Sequence, residues 1–153
     1  VSDREFPSRP IVGVGAVVVD DGRVLLVRRA NEPLKGEWSL PGGAVELGER
    51  LHVAIAREVK EETGLEVEVG PIIDVLDRLR FDADGRPRFH YVLVDFICRP
   101  TGGELACGSD AAGATWADLV ELPEYGVAES TVSVIVKAFD RLKSGPWIAR
   151  QVC

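Results

Sequence analysis

The chain has 153 residues, 46% hydrophobic and 28% charged, with a formal net charge of −7 from 18 basic and 25 acidic side chains. That length fits a single domain, 1–153, around one core, and the composition excludes a disordered or fibrous chain. The acid excess argues against a nucleic-acid polymer as partner, although a small anionic substrate stays compatible, because bound cations make a pocket positive on a negative protein. The three cysteines, Cys98, Cys107 and Cys153, are odd in number and lack metal-ligand spacing, which reads as reduced thiols in a cytoplasmic protein. Residues 1–10 carry charges and two prolines without an apolar signal core. No apolar run approaches the roughly 20 residues that cross a bilayer, so no membrane partner is expected.

In chain order, residues 11–19 are a β-type run, and Asp20-Asp21-Gly22-Arg23 reads as a hairpin turn into a partner strand over 24–29. Arg28 and Arg29 end that strand on opposite faces, and one of them could hold substrate phosphates as a bidentate donor. Residues 31–37 read as a loop. A short strand from Trp38 to Leu40 follows and meets Pro41-Gly42-Gly43, with Trp38 close enough to line a pocket. Residues 51–63 are the clearest helix. Leu51, Ile55 and Val59 recur at spacing four, and Gly64 supplies the stop. β character resumes over 66–69, and 72–81 with 88–99 read as a long antiparallel pair around Asp82-Ala83-Asp84-Gly85. A Gly-rich loop over 101–113, a short strand near 115–117 and a closing helix over 130–142 complete the chain. Strands on either side of one central helix predict an α/β fold with a mixed sheet packed between helices.

The chemistry concentrates on the helix. Successive helical residues turn by about 100°, so Glu58, Glu61 and Glu62 share an arc of about 100° beside the stripe of Leu51, Ile55 and Val59. Three carboxylates at the edge of a buried face repel one another and lose hydration. Hard divalent cations relieve both costs, since Mg²⁺ and Mn²⁺ take oxygen ligands. The competing reading is a solvated acidic face paired with Arg57 and Lys60. His52 and His90 stand alone and read as structural.

The segment Gly43–Leu65, GAVELGERLHVAIAREVKEETGL, resembles the Nudix box, G-x5-E-x7-R-E-U-x-E-E-x-G-U with U a bulky aliphatic residue. Gly43, Glu49, Arg57, Glu58, Val59, Glu61, Glu62, Gly64 and Leu65 all match, a coincidence expected below about once in ten million chains of this length. The resemblance implies an α/β/α sandwich with a mixed central sheet. It also implies Mg²⁺- or Mn²⁺-dependent hydrolysis of the pyrophosphate linkage in a small nucleoside diphosphate compound, of which ADP-ribose is one. By the same resemblance Glu58 and Glu62 are principal metal ligands, Glu61 binds directly or through water, and the Gly43 carbonyl is a further ligand. Arg57 and Glu49 fix the loop against the helix. The general base is Glu58 or Glu61 of the box, or Asp110 in the loop before Trp116, with Glu104 a weaker candidate. Two other functions stay open: a triphosphate pyrophosphohydrolase that sanitises damaged nucleotides, and a non-catalytic nucleotide-sensing domain. Retention of every box glutamate argues against the last. A homodimer is expected, as is common among diphosphate-sugar members, with residues 11–19 as the pairing edge.

Overall fold

The computed structural model describes residues 4–30, 34–106 and 111–145. In chain order it contains β1 (Ile11–Asp20), β2 (Arg23–Arg29), β3 (Trp38–Ser39), β4 (Gly42–Ala44), α1 (Leu51–Thr63), β5 (Leu65–Phe81), β6 (Pro87–Gly103), β7 (Ala111–Ala117), a 3₁₀ helix at Leu119–Tyr125 and α2 (Glu129–Ser144). The strands make one mixed sheet in the order β3-β2-β1-β6-β5, with β4 beside β1 and β7 beside β2. β1 runs parallel to β6, from Ile11 opposite Tyr91 to Val18 opposite Cys98. The other pairings among the described residues are antiparallel. The β1–β2 connection is the predicted tight turn. Asp21 and Gly22 have φ of 51° and 73°, the left-handed pair whose twist matches a two-residue hairpin.

Both faces of the sheet are covered. Val14, Ala16 and Val18 of β1, Leu25 of β2 and Phe96 of β6 pack on Ala54, Ile55 and Val59 of α1. Residues of opposite parity, Val17, Val24, Leu26 and Ile97, pack on Val134, Ile135 and Ala138 of α2 and on Leu122 of the 3₁₀ helix. Strands buried on two sides read as continuous apolar runs, which is why 11–19 shows no alternation. The result is the expected α/β/α sandwich. Cys98 is a buried free thiol whose pKa burial pushes up to about 12, so it packs as a small apolar side chain. Cys107 and Cys153 lie outside the described residues. No helix among the described residues is long and apolar enough to cross a membrane.

Three features depart from the sequence reading. The loop over 101–113 is shorter than predicted. β5 starts directly after the Gly64 stop, which draws Gly102 and Gly103 into pairing with Glu66 and Leu65, and β7 already begins at Ala111. β4 is a strand of two glycines and an alanine with no β propensity to announce it. It forms because it lies against Gly13–Gly15 of β1, and a β-carbon on Gly42 would collide with the Val14 carbonyl. Finally, β1 is not an edge, since β2 and β4 flank it on one side and β6 on the other. One outer edge is β5, which exposes Ile72, Val75, Leu79 and Phe81.

Candidate active site

Arg57 organises the turn that enters α1. Its Nε donates to Glu49 Oε2 at 2.7 Å and its Nη2 to Glu49 Oε1 at 2.9 Å, a two-pronged grip. Nη2 also donates to the Ala44 carbonyl at 3.2 Å, and Nη1 donates to Glu58 at 2.9 Å and Glu61 at 3.2 Å. One guanidinium thus ties β4, the connecting loop and two box carboxylates together. The Arg57 hydrogen bonds, helped by the Glu46 N–H, pull the Glu49 pKa down to about 2. Glu49 in turn holds the Arg57 charge well above its ordinary pKa.

The glycines of β4 seat the other carboxylates. A β-carbon on Gly43 would fall 2.6 Å from Glu58 Oε2, so only glycine lets that carboxyl lie over the strand. The Gly42 N–H donates to Glu62 Oε2 at 3.2 Å. Glu58 and Glu62 are buried, at 8% and 7% exposure. Burial raises the Glu58 pKa against the lowering effect of Arg57. Glu61 stands on the far side of the acidic arc, its side chain 49% exposed and turned to Arg57.

β4 also forms one wall of a cleft, open to solvent, between the sheet and the start of α2. Gly42, Gly43 and Ala44 line it on the box side. Arg29 of β2, Arg78 of β5, and Tyr91 and Asp95 of β6 line it elsewhere, and Thr131 of α2 closes it.

A profile of the NUDIX domain matches residues 9–137. The chain belongs to the Nudix family. It is 39% identical over 136 residues to the ADP-ribose pyrophosphatase of Methanocaldococcus jannaschii, an alignment covering 89% of this chain and 76% of that one. It is 36% identical over 127 residues to an 8-oxo-dGDP phosphatase of Mus musculus, covering 77% of this chain and 36% of that one. A MutT NUDIX hydrolase from Burkholderia pseudomallei superposes with a TM-score of 0.73 at 31% identity, covering 85% of this chain and 98% of that one.

In this Nudix hydrolase the fold brings Gly43, Arg57, Glu58 and Glu62 together and leaves Glu61 at the rim. The Arg57 cation holds the surrounding carboxylates in place. Among the described residues no three acidic, histidine or cysteine side chains gather closely enough to hold a metal by themselves. The donor set present is the Glu58 and Glu62 carboxylates beside the Gly43 backbone. It suits Mg²⁺ or Mn²⁺, which bind through one or two carboxylates and fill the remaining positions with water and substrate phosphate. Of the expected substrate contacts, Arg29 lines the cleft and the other two do not. Arg28 is exposed. Trp38 packs in the α2-side core, edge-on to Tyr125 at 5.3 Å, because β3 pairs with β2 and turns the indole inward. Asp110 lies outside the described residues, and Glu104 is exposed. The sequence reading missed Arg78 and Asp95. The signal for Asp95 was a single acid inside the apolar run YVLVDFIC.

Proposed function

We propose that this Nudix hydrolase cleaves the P–O–P linkage of a small nucleoside diphosphate compound, with ADP-ribose as leading substrate and Mg²⁺ or Mn²⁺ as cofactor. The observation that carries the reading is the seating of Glu58 and Glu62 on β4, the strand that walls an arginine-lined cleft. Arg29 and Arg78 line that cleft as charged donors for phosphate oxygens. Arg57 is a positioning residue that orients Glu58. A bound divalent ion supplies charge neutralisation of the diphosphate and activation of water. Asp110 is our candidate for the base, with Glu61 next.

The similarity to an ADP-ribose pyrophosphatase supports the substrate class. A second reading, removal of damaged nucleotides, is favoured by the similarity to an 8-oxo-dGDP phosphatase. A product-resolved screen separates them: ADP-ribose yields AMP and ribose 5-phosphate, whereas a damaged nucleoside diphosphate yields its monophosphate and orthophosphate, and a damaged triphosphate its monophosphate and pyrophosphate. Exhaustive chelation is expected to abolish turnover, and Mg²⁺ or Mn²⁺ to restore it. Full turnover after chelation overturns the metal mechanism. We also propose a homodimer through the apolar outer edge of β5. A monomer mass in solution scattering at working concentration overturns that part.

A further inference from the structure

We propose that Asp95 determines specificity by accepting hydrogen bonds from a vicinal diol of the substrate, so that the cleft selects ribose over 2-deoxyribose. The proposal rests on the nucleoside diphosphate reading above. Asp95 is 5% exposed, on the α2 side of β6, and opens on the cleft. The forces on its carboxyl are burial, the attraction of Arg78 and the repulsion of Asp74, and no hydrogen bond from a described residue is among them. Asp74, opposite it in the β5–β6 register, is engaged by Lys137. A carboxylate this enclosed, with no donor among the described residues and its oxygens reached only from the cleft, is costly, and the fold makes room for it, since a β-carbon on Gly15 would strike Asp95 Oδ1.

Its distance from the box selects the ligand group. Asp95 pairs with Gly15, and Gly15 with Gly42, whose N–H binds Glu62. Two strand spacings separate the Asp95 and Gly42 backbones, about 10 Å, and the Asp95 carboxyl leans back over Gly15. A diphosphate held at the box reaches that point with the first sugar ring attached to it, not with a nucleobase. Two adjacent hydroxyls match the two oxygens of one carboxylate, the use to which dinucleotide-binding folds put an acidic residue on ribose. The ring could belong to the nucleoside or to the distal sugar of a diphosphate sugar, and the shared chemistry is the cis-diol.

The test compares ADP-ribose with two analogues, one lacking the 2-hydroxyl of the adenosine ribose and one lacking that of the distal ribose. The parent, Asp95→Asn and Asp95→Ala are measured by turnover and, with Ca²⁺ in place of the activating ion, by calorimetric binding. The parent is expected to disfavour one analogue by about tenfold or more in kcat/KM and in Kd, the range for a buried polar group left unpaired. The analogue affected identifies which ring Asp95 holds. Both variants are expected to lose that preference, mainly through KM. If the parent turns over all three compounds equally, or the variants keep the preference, the proposal falls while the diphosphate reading stands. If the parent hydrolyses none of them but binds with the preference, the reading of the reaction fails and the role of Asp95 stands. Absence of both turnover and binding overturns both.

Discussion

Replacing Asp95 by asparagine keeps the shape of the side chain and removes its charge, and the consequence for stability is calculable. Burial raises the Asp95 pKa from 3.8 to about 6, after the opposing attraction of Arg78. At about 1.4 kcal/mol per tenfold change in proton affinity, the charged form costs the folded state about 3 kcal/mol. The folded chain binds more protons than the unfolded one between those two values, so parent stability falls as pH rises from about 4 to 6. Below 3.8 the cost is absent, because the carboxyl is protonated in both states. Asp95→Asn never carries the cost. Urea unfolding across about pH 4 to 8 is therefore expected to show a variant close to the parent at the acid end and up to about 3 kcal/mol more stable above about pH 6. A difference that does not change with pH, or a parent more stable than the variant at about pH 7.5, refutes the reasoning.

Glu62→Gln keeps the acceptor for the Gly42 N–H but removes the charge, and is expected to lower kcat by at least about 10²-fold with the melting temperature preserved. A variant within a few-fold of the parent would return the acidic arc to a solvated face. Gly43→Ala drives a β-carbon into the Glu58 carboxyl, so metal affinity measured by titration is expected to fall about tenfold or more. Unchanged affinity would mean that Glu58 does not need its seat on β4. Asp110→Asn is expected to lower kcat and flatten the acidic limb of the pH–rate profile while leaving metal affinity intact. An unaltered profile moves the base into the box, to Glu61.

The parts of this site that were legible in the sequence are those that a single helix and its entry loop bring together. Gly43, Glu49, Arg57, Glu58 and Glu62 lie within the span of the box, and the helical period alone fixes which of them share a side. The same geometry distinguishes Glu61. It is the member of the arc farthest from the stripe of Ile55 and Val59, and it is the one that stays exposed. The fold class was legible for a similar reason, since apolar runs bounded by turn residues declare strands locally. Trp38 shows where locality misleads. Its closeness to the box along the chain suggested a pocket wall, but pairing of β3 with β2 sends the indole into the core beside Tyr125.

The cleft was not legible because no local rule assembles it. Its walls come from β1 to β6 and the first two turns of α2, and two pairings of β1, parallel with β6 and antiparallel with β4, decide what meets what. Those pairings pass through Gly13 and Gly15, two glycines that nothing in the β-type run 11–19 singles out. In the fold, Gly15 leaves the space that Asp95 occupies, and Gly42 and Gly43 let β4 lie against β1 and seat Glu62 and Glu58. A side chain at Gly15, itself part of the cleft lining, would therefore displace the Asp95 carboxyl. The chemistry of the box is written on one helix, whereas the choice of substrate is written in the register of β1, where the residues that matter are the ones with no side chain.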